Sequence, residues 1–289
     1  MDAPRNGYSM KLRRKLADNI IYGMMAAATI LVLAALVFII IYILKSSSGF
    51  LNFSLFTRSA AEGGILPMAV TTLYIVIASI AVALPVGICT AVFLNEYSGN
   101  SWVIKILRLA IDTLAGIPSI IYGLFGLLVF CRILGLGQSI IAGSLTLSIM
   151  ILPVIIRTSE ESLKSIPDSF REGSLSLGTT KLQTIIHVVI PPALPGIFTS
   201  VILAIGRVVG ESAPVLLTVG LAKNMPKSIF ESGRTLTIHL FYLTSEAVKP
   251  EDFGMAFAAA SILVILVLFI NTITRVITLA FGKKSGGLE

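Results

Sequence analysis

Runs of apolar residues long enough to cross a membrane occur six times along this sequence, at about 20–44, 66–94, 107–130, 138–156, 193–220 and 254–281. A helix rises about 1.5 Å per residue, so roughly 20 mainly apolar residues span a hydrocarbon layer of about 30 Å. The pattern predicts an all-α membrane protein with six transmembrane helices. The first run, "IIYGMMAAATILVLAALVFIIIYIL", is uniformly apolar with a single glycine, as suits a peripheral helix facing lipid. It follows "KLRRKLADN" as a signal sequence would, but its apolar part is too long and no small-residue cleavage site follows, so it reads as a retained signal anchor. Runs two to five are punctuated by Gly, Pro, Ser and Thr, as in "IDTLAGIPSIIYGLFGLLVF" and "SIIAGSLTLSIMILPVII". Small residues let helix backbones approach, and proline is tolerated where neighbours satisfy the freed carbonyls. These four runs are expected to form an interior bundle.

Composition agrees with that pattern. Of the 289 residues 55% are hydrophobic and 13% charged, too few polar groups to cover a soluble core. The net charge of +7 is distributed by loop. With both termini cytoplasmic, the inner segments carry 14 Lys and Arg and the outer loops seven, which sets the orientation by the excess of basic residues inside. The basic residues sit beside the membrane without interleaved aromatics, which argues against nucleic acid as a partner. The expected organisation is a basic cytoplasmic tail (1–19), a transmembrane domain (20–281) and a cytoplasmic C-terminal tail (282–289). The transmembrane domain carries a cytoplasmic loop at 157–190 and an external loop at 221–253. Within the external loop, "TLTIHLFYLTSEA" is expected to lie as an amphipathic helix at the interface.

Several chemistries are excluded. No GxxxxGK[ST] loop is present to cradle nucleotide phosphates, and no HExxH pattern or Ser-His-Asp set appears. The chain is not expected to be an enzyme by itself, and any energy it uses must come from elsewhere. Cys89 and Cys131 lack CxxC spacing and read as small core residues, with no disulfide. His187 and His239 have no ligand-spaced neighbours, so no metal site is expected. Asp112 reads as a helix cap.

Charge interrupts the fifth run at "GRVVGESAPVLL", residues 206–217. A charged side chain in the middle of a membrane helix costs about 2.5–3.5 kcal/mol on insertion scales, so Arg207 and Glu211 must face protein or water. In a continuous helix they share one face, one turn apart, and extending that face adds Ser200 and Thr218. Gly206 and Gly210 form an adjoining strip that a second helix could approach. Two readings stay open: an ion pair that locks helices together, as in a gated channel or sensor, or a guanidinium that relays an anion while Glu211 holds it between loads. The planar fork of Arg suits a tetrahedral oxyanion.

The cytoplasmic loop contains "EGSLSLGTTKLQTIIHVVIP", residues 172–191. Glu172, Gly178, Val188, Ile190 and Pro191 match the spacing of the EAA loop of ABC importer permeases. Gly173 and Ser174 stand for its two alanines, Val188 for its Ile and Ile190 for its Leu. The expected structure is a short surface helix whose small side chains, Gly173, Ser174 and Ser176, admit a partner's groove. Gly178 then turns the backbone, and "KLQTIIHVVI" runs along the interface before Pro191 and Pro192 start the next span.

With that loop, "IDTLAGIPSIIYGLFG", "VVIPPALPGI" and "LAIGRVVGESAPVLLTVG" make the chain resemble the A-type permease subunit of the phosphate-specific (Pst) ABC importer. Ser212 replaces the Thr of that family's Gly-Arg-x-x-Gly-Glu-Thr-Ala-Pro run. The resemblance implies a type I ABC importer permease fold (MetI-like) in the plasma (inner) membrane of a prokaryote. It implies a phosphate path lined by Arg207 and Glu211, with Ser200 and Thr218 on the polar face already described, and an ATPase-coupling segment at Glu172, Gly173, Ser174 and Gly178. It also implies partners: a C-type permease subunit in a heterodimer, two copies of an ATP-binding subunit and an external phosphate-binding protein. ATP and Mg would be bound by the ATPase, leaving no cofactor in this chain. Sulfate, molybdate or phosphonate are chemically close alternatives as substrate.

Overall fold

The computed structural model of the protein describes residues 6–50, 55, 64–97, 99, 102–247 and 250–285. Residues 1–5 of the basic tail, most of the polar loop between the first two runs, 248–249 in the external loop and 286–289 of the C-terminal tail lie outside the described residues. All regular structure among the described residues is helical. Five stretches, Asp18–Ser47, Leu66–Tyr97, Ile140–Lys164, Lys181–Gly210 and Phe253–Val276, are long and apolar enough to cross a membrane, and a bent pair of helices makes a sixth when counted as one span.

The first helix is α1 (Asn6–Ser47), and from Asp18 onward it exposes its apolar surface. Its anchorage is to the last helix, α11 (Pro250–Ser285), where Ser261 Oγ donates to Ser47 Oγ at 2.7 Å and Tyr42 meets Phe257 edge-on. The interior pair is α2 (Leu66–Val92) and α5 (Ile140–Lys164). Ser79, Ala83 and Gly87 recur every fourth residue on α2, so a strip of small side chains faces α5. Ser148 Oγ of α5 reaches the Ser79 carbonyl at 3.0 Å, and a Cβ on Gly87 would overlap Ile155. This close approach is the physical use of the small residues that punctuate the sequence.

The third run departs from the single helix expected at 107–130. Helix α3 (Trp102–Gly116) and helix α4 (Ser119–Gly126), which continues through a π segment to Ile133, are bent by 101° to one another. Pro118 supplies the reason: it has no N–H to give, and it drives Ile117 out of the helical region. The bend is held by the Tyr122 hydroxyl, which donates to the Leu114 carbonyl at 2.6 Å. Asp112 lies in the interior of α3 and pairs with Arg157 of α5 rather than capping a helix.

On the cytoplasmic side α5 continues to Lys164, beyond the expected end at 156, so the loop starts as helix. A short helix, α6 (Asp168–Ser176), follows, and then α7 (Lys181–Thr184), a π segment over Ile185–Val189 and α8 (Ile190–Gly210) join without a break. "KLQTIIHVVI" therefore belongs to the span itself rather than running along the interface. Pro191 and Pro192 lack the N–H groups an α ladder needs, and the Ile190 N–H bonds back to Ile185 O, five residues away. The chain re-enters the core as α9 (Ala213–Thr218) and, after an extended loop, as α10 (Leu236–Ser245). Leu236, Thr237, Ile238 and His239 are buried, so α10 packs into the bundle instead of lying on its surface.

Candidate functional site

The fifth run is not one helix. Helix α8 stops at Gly210, Glu211 is extended (φ −77°, ψ 130°), and α9 restarts at Ala213. Pro214 causes the stop, since it cannot donate to the Gly210 carbonyl and its ring would clash with that carbonyl. The orphaned end of α8 is partly satisfied from α10: Thr237 Oγ1 donates to Glu211 O at 3.2 Å. Across the bundle, a Cβ on Gly123 of α4 would stand 2.8 Å from Pro214 Cα. The glycine is what lets the bent hairpin reach the backbone at this break.

The break falls between Arg207 and Thr218, so the four expected path residues do not share one continuous helix. Arg207, in the last turn of α8, and Glu211 remain together, with Nε to Oε1 at 4.0 Å and side chains 30% and 18% exposed. Arg207 makes no hydrogen bond to another described residue, so its donors stay open, and its charge sits at the negative end of the α8 dipole. Tyr122 lies within its electrostatic reach. Ser200 lies two turns before Arg207 in α8, and Thr218 lies beyond the break in α9. Both are fully buried, and their hydroxyls donate back to Ile197 O and Pro214 O one turn earlier. The polar stripe expected through Arg207, Glu211, Ser200 and Thr218 is interrupted at Glu211: 3.6-residue periodicity holds from Ser200 to Arg207 within α8 but does not carry across the break to Thr218.

A second cation was not singled out by sequence. Arg234, just before α10, is buried, its guanidinium lies over the Tyr242 ring at 4.7 Å, and its Nε has no hydrogen-bond partner. No carboxylate is within ion-pair distance of it among the described residues. His239, one turn on, is also buried. Burial first, then the charges of Arg234 and Lys223, push its imidazole down to about 4. The only sequence signal for Arg234 would have been its proximity to "TLTIHLFYL", which looked like surface.

At the cytoplasmic end, Gly178 follows α6 with φ +84°, a left-handed backbone that side-chain-bearing residues rarely adopt. Glu172 and Gly173 point outward, and nothing stands near a Cβ on Gly173. Ser174 is turned in, contrary to the expectation that it faces a partner. Its hydroxyl meets Thr179 Oγ1 at 2.8 Å and Thr184 Oγ1 at 3.0 Å, tying the turn together. Phe170 and Leu177, seven residues apart and so on one side of α6, are exposed. They form an apolar surface that the sequence pattern did not reveal.

This arrangement of bundle, broken helix and surface-coupled helix has counterparts. The family described as "Binding-protein-dependent transport system inner membrane component" matches residues 83–284. The chain belongs to that family. Among its relatives, the probable ABC transporter permease protein YqgI of Bacillus subtilis is 33% identical over 94% of this chain and 99% of its own length. The phosphate transport system permease protein PstA of Mycobacterium leprae is 33% identical over 91% of this chain and 88% of its own. The fold matches solved type I ABC importer permeases. A chain of an inward-facing MetNI methionine ABC transporter has a TM-score of 0.60 at 23% identity, covering 75% of this chain and 94% of that one. One from a bacterial alginate ABC transporter, solved with a periplasmic protein holding an alginate pentasaccharide, has 0.66 at 18%, covering 92% and 97%. The permease is therefore a multi-pass inner-membrane subunit that is not an enzyme by itself. It works in a complex with other permease and ATPase subunits.

Proposed function

We propose that the permease forms, with a C-type permease subunit, the translocation path of an ATP-driven importer of inorganic phosphate. The observation that carries this reading is the state of Arg207: a half-open guanidinium at a helix break inside the membrane, beside a carboxylate but hydrogen-bonded to nothing among the described residues. A structural lock would use the donors of the arginine; a relay leaves them open. The likeness to phosphate transport permeases supports phosphate as the anion.

Phosphate released by an external binding protein displaces Glu211 from the guanidinium and takes two of its N–H groups. Glu211 returns when the anion leaves, so the site is never an unpaired charge in a medium that penalises one. Arg234, with no carboxylate at ion-pair distance among the described residues, adds positive potential behind the break. Of two copies of an ATP-binding subunit, one docks on α6 through Phe170, Leu177 and the open surface at Gly173, with Glu172 on the rim, and the other docks on the C-type permease subunit. ATP and Mg are held by those subunits, and their closure swings the bundle between inward and outward access. The test is uptake of labelled phosphate by proteoliposomes holding the whole complex, with the external binding protein added. ATP-dependent uptake of phosphate, with sulfate and molybdate excluded, supports the reading; ATP-dependent uptake of sulfate or molybdate instead contradicts it.

A further inference from the structure

Arg171, one residue before the coupling motif, bridges three elements at once. Its Nε and Nη2 donate to the Glu96 carboxylate at 2.9–3.3 Å. Nη2 also reaches Leu163 O at 2.9 Å, and Nη1 reaches Ile166 O at 2.7 Å and Asp168 Oδ1 at 3.1 Å. Every nitrogen of the guanidinium is engaged, and the Arg171 and Glu96 side chains are 15% and 7% exposed. Leu163 lies in the last turn of α5 and Ile166 just beyond its end, where carbonyls lack intrahelical partners. Arg171 supplies those partners from α6.

Glu96 belongs to a π segment, Phe93–Tyr97, that ends α2. The wider turn is where α2 meets α6, and Asn95 Nδ2 steadies the carboxylate at 2.8 Å. A second tether leaves the same segment: Lys181 Nζ sits 4.8 Å from the Tyr97 ring centre. The tip of α2 is thus bound on both sides of the Gly178 turn.

We infer that Arg171, through Glu96, is the positioning link that makes α6 move as one body with the inner ends of α2 and α5, so that displacement of α6 by the ATPase reaches the bundle without slack. A fully engaged, partly buried, bidentate pair has few other arrangements, whereas apolar side chains alone could slide. The sequence marks Glu172 as the coupling residue; the geometry places the mechanical connection on its neighbour.

This inference rests on the reading of the chain as part of an ATP-driven importer. It is tested on the whole reconstituted complex, with Cys89 and Cys131 replaced by serine and spin labels on Phe93→Cys and Ser169→Cys, both exposed positions. The distance between labels is expected to be the same without nucleotide and with ATP trapped. In the Glu96→Gln background it should shift or broaden by about 3 Å or more on trapping. Anion imported per ATP hydrolysed should fall at least tenfold in Glu96→Gln and in Arg171→Lys, with hydrolysis itself within about twofold of the unsubstituted complex. The inference is overturned if the label distance changes with ATP in the unsubstituted link, or if Glu96→Gln imports as much per ATP. A variant that does not assemble leaves the distance measurement on the intact link to decide. An unsubstituted complex that shows no ATP-driven import at all contradicts the importer reading instead.

Discussion

Arg207 Nε and Glu211 Oε1 stand 4.0 Å apart on either side of the point where the fifth membrane helix stops. That separation is an ion pair without a hydrogen bond. It contrasts with Arg171, whose nitrogens all donate to protein acceptors. Two arginines of one chain are held in opposite ways, one closed as a joint and one left open as a receptor.

The close packing at Gly123 sets the position of the break. Replacing Gly123 by Val places side-chain carbon against Pro214 Cα, which as backbone cannot move alone. Overpacking of this kind costs about 1–3 kcal/mol. The complex with Gly123→Val is expected to unfold several degrees lower and to lose most phosphate uptake. Gly116→Ala, where nothing stands near the added Cβ, serves as the control and should be near neutral in a thermal melt.

Much of this was legible in the sequence, and the failures have two causes. The six apolar runs, the small-residue strip on α2 and the turn at Gly178 follow from local pattern, because each depends on neighbours a few residues away. The bend at Pro118 and the break before Pro214 are also written as prolines, but periodicity was extended through them. Thr218 therefore falls on the face of Arg207 only in a helix that does not continue to it. Arg234, the Arg171–Glu96 link and the Asp112–Arg157 pair join segments far apart in sequence, and one sequence carries no signal for them.

The turn after α6 should be intolerant of a side chain. Gly178→Val forces a branched residue to φ +84°, at a cost of about 1–2 kcal/mol or a changed exit angle. The ATPase retained on the purified permease is expected to fall about tenfold, and Leu177→Asp should act similarly by charging the exposed apolar surface. Equal retention of ATPase by both variants would remove α6 as the docking element.

His239 should make the protein acid-sensitive. Its folded value is depressed to about 4 from 6.5, mainly by burial and then by Arg234 and Lys223. In the range between these values the unfolded chain takes up a proton that the folded chain refuses. Stability is thus fully present above about pH 6.5 and is lost as pH falls toward 4, by about 2 kcal/mol at pH 5. Melting curves from pH 7.5 to 4.5 should show the loss, and His239→Gln should flatten this part of the profile.

Phosphate uptake with Arg207 altered is the most direct measurement. In proteoliposomes holding the complete complex, Arg207→Gln removes the two charge-assisted hydrogen bonds assigned to phosphate, each worth about 1.5–3 kcal/mol. Uptake is expected to fall at least about 100-fold while ATP hydrolysis continues. Arg207→Lys should recover only part, for want of the planar fork, and Glu211→Gln should transport more slowly than the unaltered complex. Uptake by Arg207→Gln at the unaltered rate would show that phosphate passes without this guanidinium, and the path assigned to it would be wrong.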